Sequence, residues 1–281
     1  MPKNLLVIHM DCLSQTMFWQ YQCELAALWD LKSRSLYFRK CQATGTSTLF
    51  ALCSVSQGSV ECMDCNDCNR IYSFWENIAI KKDRDLFEIL RDDHGYEIMA
   101  SLFSDYGFPD VLEYHRYFLG IPQCLEFKEI NQKSNFPGDF FQNARLSSRS
   151  FAVYLHDIYD IDHTSAGFEN PAEVGVVDDL SESFRNRLRR ADTVVKMALA
   201  NLEELDLLRE TLVVVFGDHG HPGFSREFNS RNEGVGILTD AASSWVPLFL
   251  YNSGMGVGVS DALACRVGGE VSLPRPSPDP D

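Results

Sequence analysis

Asp218 and His219 stand at the end of an apolar run, Thr211-Leu-Val-Val-Val-Phe-Gly217, and are followed by Gly220. A continuous β-branched and apolar run of this length suits a strand covered on both faces, as in the parallel sheet of an α/β protein. Open α/β sheets bind ligands beyond the carboxyl ends of their strands. A carboxylate and an imidazole delivered there can hold a metal ion. A second apolar run near the start, Asn4-Leu-Leu-Val-Ile-His-Met10, also ends on an acid, Asp11. Mixed carboxylate and imidazole donors suit zinc or manganese and accept magnesium or calcium less selectively. Both acids also have a plainer use, since an Asp after a strand often caps the next helix.

A hydroxyl-rich turn, Ala43-Thr-Gly-Thr-Ser-Thr-Leu-Phe50, is the candidate nucleophile segment. At a helix N-terminus its hydroxyls would meet free N–H groups and the positive end of the helix dipole, which favour an anion. A hydroxyl coordinated to a divalent cation loses its proton more readily and becomes a usable nucleophile. The same turn also reads as an ordinary N-cap. His156, at the end of the run beginning at Phe151, and His163 and His221 would share the rim with Asp218. His9, inside the first strand, reads as a packed core histidine, and His94 and His115 as structural or exposed. Cys62, Cys65 and Cys68 form two successive C-x-x-C spacings that could hold a metal or an iron–sulfur cluster. A fourth ligand at useful spacing is missing, and the interleaved Asp and Asn residues read equally as an exposed polar loop.

The elements that would position these groups alternate. A helix is expected over residues 20–31, then a short strand from Leu36. Another helix over 83–91, with Leu86, Phe87 and Leu90 on one face, leads through Gly95 into a strand over 96–103. A further strand starts at Phe151. A long helix over 179–208 carries Phe184, Leu188, Ala191, Val195, Ala198, Leu202 and Leu205 as one apolar stripe. The final strand covers Trp245-Val-Pro-Leu-Phe-Leu-Tyr251. The fold class is therefore α/β, a mostly parallel central sheet flanked by helices. Residues 1–255 are expected to form the catalytic domain and 256–281 a short tail, partly disordered, whose end from Ser272 is Pro- and Asp-rich.

The bulk properties narrow the partners. The chain has 281 residues, 23% of them charged, and a formal net charge of −15. That charge repels phosphate backbones, so no nucleic-acid partner is expected. No apolar run is long enough to span a bilayer. Met1-Pro-Lys-Asn4 leads straight into a core-like strand rather than a signal peptide. The 9 cysteines are an odd number, scattered through a chain too large to need disulfide staples. The expected location is cytoplasmic. Oligomeric state is not readable from these features.

In order along the chain, these segments resemble the sulfatase branch of the alkaline phosphatase superfamily. The matching pieces are Asn4 to Asp11, Leu86 to Phe103 with its Gly95-Tyr96, Ala191-Asp192 through Leu205, Thr211 to Gly220, and Trp245-Val-Pro247. The resemblance implies an alkaline-phosphatase-like fold and a divalent metal held by Asp11, Thr48, Asp218 and His219, with zinc first and manganese, magnesium or calcium as alternatives. Gly45-Thr-Ser-Thr48 is similar to the turn of phosphoethanolamine transferases, which makes Thr48 the nucleophile, forming a covalent phospho-enzyme. Ser56-Gln57-Gly58 falls where related phosphoglycerol transferases carry a similar tripeptide. His156 resembles the family's substrate or second-metal histidine and would orient the substrate or protonate the leaving group, and His163 and His221 would bind substrate. The expected substrate is a phosphate ester or diester, a small molecule or a glycan or lipid headgroup. Sulfate ester hydrolysis is the alternative, as is a catalytically weak binding or regulatory protein. Cys53-Ser-Val-Ser-Gln57 lacks the Pro and Arg of the formylglycine motif, and Asp11 is followed by Cys12 rather than a second Asp, so phosphoryl chemistry is favoured. Arg231 stands near the place of the family's later histidine.

Overall fold

The strand β1 (Asn4–Met10) is buried along nearly its whole length, because parallel strands flank it on both sides. A computed structural model describes residues 2–43, 55, 58, 84–103, 126–130, 138–157, 182–220, 245–253 and 271–272. The other strands are β2 (Leu36–Gln42), β3 (Glu97–Phe103), β4 (Glu126–Ile130), β5 (Phe151–Asp157), β6 (Thr211–Gly217), β7 (Trp245–Tyr251) and β8 (Val271–Ser272). They form one 8-stranded sheet in the order β4-β3-β5-β1-β6-β7-β2-β8. From β4 to β6 every pairing is parallel, whereas β7 and β2 add antiparallel pairings on one side. The expected mostly parallel sheet is present. Within 256–281 the described residues are those of β8, which pairs with β2.

The helices are α1 (Gln15–Gln20), α2 (Ala26–Arg34), α3 (Leu86–Asp92), α4 (Gly138–Ser147) and α5 (Glu182–Glu204). Strand alternation sorts β1 between two cores. Leu6, Ile8 and Met10 join Met17 and Phe18 of α1, Leu28 and Leu31 of α2, and the stripe Leu188, Ala191, Val195, Ala198 and Leu202 of α5. Val7 faces the other way, with Tyr154, Phe216 and Phe87 of α3.

Several boundaries differ from expectation, each for a local reason. The helix expected over 20–31 starts only at Ala26, as α2, and runs to Arg34; an unexpected short helix, α1, precedes it and ends where Tyr21 leaves helical geometry at φ −111° and ψ 47°. The long helix ends at Glu204 rather than 208, since Asp206 takes the left-handed φ of 57°. Leu86 does not share the buried face of Phe87; it is 37% exposed at the first helical position. The helix–glycine–strand unit does form. A capping box between Asp85 and Glu88 starts α3. Gly95, at φ 68°, ends it as Tyr96 N donates to Leu90 O at 3.0 Å. Pro247 lies inside β7, and β2 shifts register between Phe38 and Cys41 beside it, a bulge that accommodates the missing N–H.

One tertiary contact fixes α2 on α5. Leu25, the N-cap of α2, offers no capping side chain. Asp192 of α5 does the work instead, accepting from Ala27 N at 2.8 Å and Leu28 N at 2.9 Å. Burial raises the Asp192 carboxyl above its usual value, against the pull of those two amides. Asp192→Ala leaves both donors unpaired and should lower stability by about 1–3 kcal/mol. Asp192→Asn, which keeps an acceptor, should lose less in a denaturant melt. Equal losses would contradict the capping role.

Candidate metal centre

Sheet register sets the site. Met10 lies beside Gly217 on β6 and beside Asp157 on β5, so Asp11 and Asp218 leave neighbouring parallel strands at the same level. With a period of two, His9 shares a face with Asp11, and Phe216 shares one with Asp218. His9 is paired in register with both His156 and Phe216. The three rings stack across the sheet, with centroids 3.7 Å apart for His9–His156 and 4.9 Å for His9–Phe216. This aromatic row is the floor on which the two acids stand.

After Asp11 the chain turns sharply. Leu13 N donates to Met10 O at 3.4 Å, and Cys12 sits in the left-handed region at φ 61°. The turn presses against β6. A Cβ at Gly217 would lie 2.1 Å from the Leu13 carbonyl oxygen, so only glycine lets the two backbones approach. Asp218 ties them together, because its Oδ1 accepts from Cys12 N at 3.0 Å and from His219 N at 2.7 Å.

The ionisable groups then crowd into a small volume. Asp218 Oδ2 is 3.1 Å from His9 Nε2 and 3.4 Å from His219 Nε2. Asp11 Oδ1 is 3.6 Å from His219 Nε2, and its Oδ2 is 3.9 Å from His156 Nε2. Burial alone would raise the Asp218 carboxyl. The positive potential of His219 and His9, with the Cys12 amide, outweighs it and holds that carboxyl well below the usual range. Burial, reinforced by the charges of Asp218 and Asp11, pushes the Tyr154 hydroxyl well above its usual value, so it keeps its proton. Tyr154 Oη and His9 Nδ1 are hydrogen-bonded at 2.6 Å, which holds the His9 ring with Nε2 toward Asp218.

The donors fit a divalent cation. Two carboxylates and an imidazole converge from the ends of adjacent strands. The fully buried Asp218 Oδ2 faces two imidazole nitrogens, His9 Nε2 at 3.1 Å and His219 Nε2 at 3.4 Å, so a carboxylate charge is held at the ends of the two strands. One ligand atom each from Asp11, Cys12 and His219 lie within 4.8 Å of one another.

Of the residues singled out in the sequence, Asp11, Asp218 and His219 come together. His156 lies directly beneath them, fully buried. Thr48, His163, His221, the turn over 44–50, Cys53, Cys62, Cys65, Cys68 and Arg231 fall outside the described residues. Sequence reasoning missed three neighbours. His9 is packed, as expected, but it also touches Asp218, and its spacing of two from Asp11 was the available signal. Tyr154, spaced two from His156, could have been found in the same way. Cys12 follows Asp11 immediately, and the turn folds it back toward His219. No helix among the described residues is long and apolar enough to cross a membrane.

No family model matches the sequence, and no curated protein matches it either. Solved structures do share its fold. The lipoteichoic acid synthase LtaP from Listeria monocytogenes aligns with a TM-score of 0.60 at 14% identity, over 90% of this chain and 66% of that one. A protein of the alkaline phosphatase superfamily from Vibrio parahaemolyticus gives 0.60 at 12% identity, over 89% and 60%. The C-terminal periplasmic domain of EptC from Escherichia coli, in complex with zinc, gives 0.54 at 11% identity, over 90% and 73%. The chain thus spans 66% and 60% of the length of the first two.

Proposed function

We propose that this chain, whose fold is that of the alkaline phosphatase superfamily, is a metal-dependent hydrolase or transferase of phosphate esters or diesters. The observation that carries the reading is the convergence of Asp11, Asp218 and His219 at the carboxyl ends of β1 and β6. That is where an open α/β sheet places its ligand. The zinc-bound EptC domain supports a divalent cation with zinc as first choice, and the lipoteichoic acid synthase supports a glycan or lipid-headgroup ester as substrate.

Asp11, Asp218 and His219 would hold the cation, with Thr48 completing the set. When bound, it would ease deprotonation of a coordinated hydroxyl and offset charge on the phosphoryl oxygens. The Thr48 oxygen attacks phosphorus in line, the bond to the leaving alkoxide breaks, and a phospho-threonine remains. Water or an acceptor hydroxyl then displaces the phosphoryl group from Thr48. His156, fully buried with Nε2 3.9 Å from Asp11 Oδ2, is better placed to steady Asp11 than to reach a leaving group. His163 and His221 remain the proposed substrate contacts.

The test is turnover of an aryl phosphate diester against an aryl sulfate, with Thr48→Ala beside the wild type. The expected result is diesterase activity, little sulfatase activity, and a fall of about 1000-fold or more in Thr48→Ala, as for loss of a group acting only in the transition state. Undiminished activity in Thr48→Ala would remove Thr48 as nucleophile.

A further inference from the structure

Cys12 occupies an unusual place for a core cysteine. It is 1% exposed, a reduced thiol, and it holds the left-handed φ of 61° that glycine or asparagine would take more easily. Its amide is clamped to Asp218 Oδ1 at 3.0 Å, which fixes the residue beside the acids. Its Sγ is 3.7 Å from His219 Nδ1, the ring nitrogen that also lies 3.0 Å from Gly220 O, and one ligand atom each from Asp11, Cys12 and His219 lie within 4.8 Å of one another.

A separate observation points to a cation at the same place. The side chain of Asp218 is fully buried, and its Oδ2 lies 3.1 Å from His9 Nε2 and 3.4 Å from His219 Nε2, which fixes a negative charge beside His219. Asp11, Cys12 and His219 together offer a mixed sulfur, nitrogen and oxygen donor set. Such sets discriminate between cations, because thiolate favours zinc and disfavours magnesium and calcium.

We propose that Cys12 supplies a thiolate ligand to the cation held with Asp11 and His219, and that this sulfur makes the site select zinc over magnesium and calcium. The inference rests on the metal-dependent reading above. On binding, the thiol proton leaves to solvent and the sulfur lone pair is donated to the cation. No electron is transferred.

Cobalt(II), a spectroscopic stand-in for zinc, tests this on the full chain. Wild type is titrated beside Cys12→Ser, Cys12→Asp, and a Cys62→Ser, Cys65→Ser, Cys68→Ser triple variant, with melts to confirm that each is folded. The expected result is visible ligand-field bands together with a near-ultraviolet sulfur-to-cobalt band. That band should persist in the triple variant and vanish in Cys12→Ser, which should also bind cobalt at least 10-fold more weakly, the scale set by lesser outer-shell changes. Cys12→Asp should bind without the sulfur band, and with magnesium and calcium competing better than in wild type. Cobalt bound without the sulfur band, or with the band lost only in the triple variant, overturns the role of Cys12 and leaves the metal reading intact. Absence of any cobalt binding removes both.

Discussion

Replacing Asp218 with Asn should abolish the proposed metal binding while leaving the chain folded. Asn keeps an oxygen where Oδ1 accepts from Cys12 N and His219 N, so the turn and the strand end stay joined. It loses the charge that sits 3.4 Å from His219 Nε2. Metal affinity should fall by about 100-fold or more, the upper range for changes one shell further out, and diesterase activity should fall with it. Asp218→Ala is the contrast. It also orphans two buried amides, at about 1–3 kcal/mol each, so it should lose stability as well as metal. The metal-free protein adds a pH signature. Asp218 is held below its usual value of 3.8, so its contribution to stability is complete above that pH and drains away as the pH falls toward the folded value. The stability gap between wild type and Asn should therefore narrow in acid. A gap that widened in acid would contradict the assignment of charge to this carboxylate.

Gly217→Ala should damage the site without touching a ligand. The added methyl would stand 2.1 Å from the Leu13 carbonyl oxygen and 3.3 Å from Pro247 Cδ. The first of these is backbone and cannot rotate away. The turn after β1 must move, and it carries Asp11 and Cys12. Overpacking of this kind costs about 1–3 kcal/mol, so the melting temperature should drop and metal affinity should drop with it. Unchanged melting together with unchanged metal binding would mean that β6 and the turn are not in this contact.

Much of this was legible because the strands that matter are strongly patterned. The apolar runs at Asn4–Met10, Thr211–Gly217 and Trp245–Tyr251 became β1, β6 and β7 with the residues expected. The acids at the ends of β1 and β6 could be paired in advance because parallel neighbours deliver their ends to one rim. What escaped was tertiary. Nothing local to Leu25 says that Asp192, far along the chain, will cap its helix. The break between α1 and α2 is invisible in composition, since Glu24 to Leu28 is helix-favouring throughout and the interruption lies in backbone geometry at Tyr21 and Leu25. The contact of His9 with Asp218 depends on β1 and β6 being adjacent and in register, which no residue of either strand announces alone. Cys12 was visible as a departure from paired acids, but its approach to His219 needed the turn.

The central claim is that a cation is held between the ends of β1 and β6. Anomalous X-ray diffraction at the zinc edge, from crystals grown with zinc, tests it most directly. The account predicts a single strong peak bounded by the carboxylates of Asp11 and Asp218 and the imidazole of His219. A peak confined to Cys62, Cys65 and Cys68, with none between those acids, would contradict it.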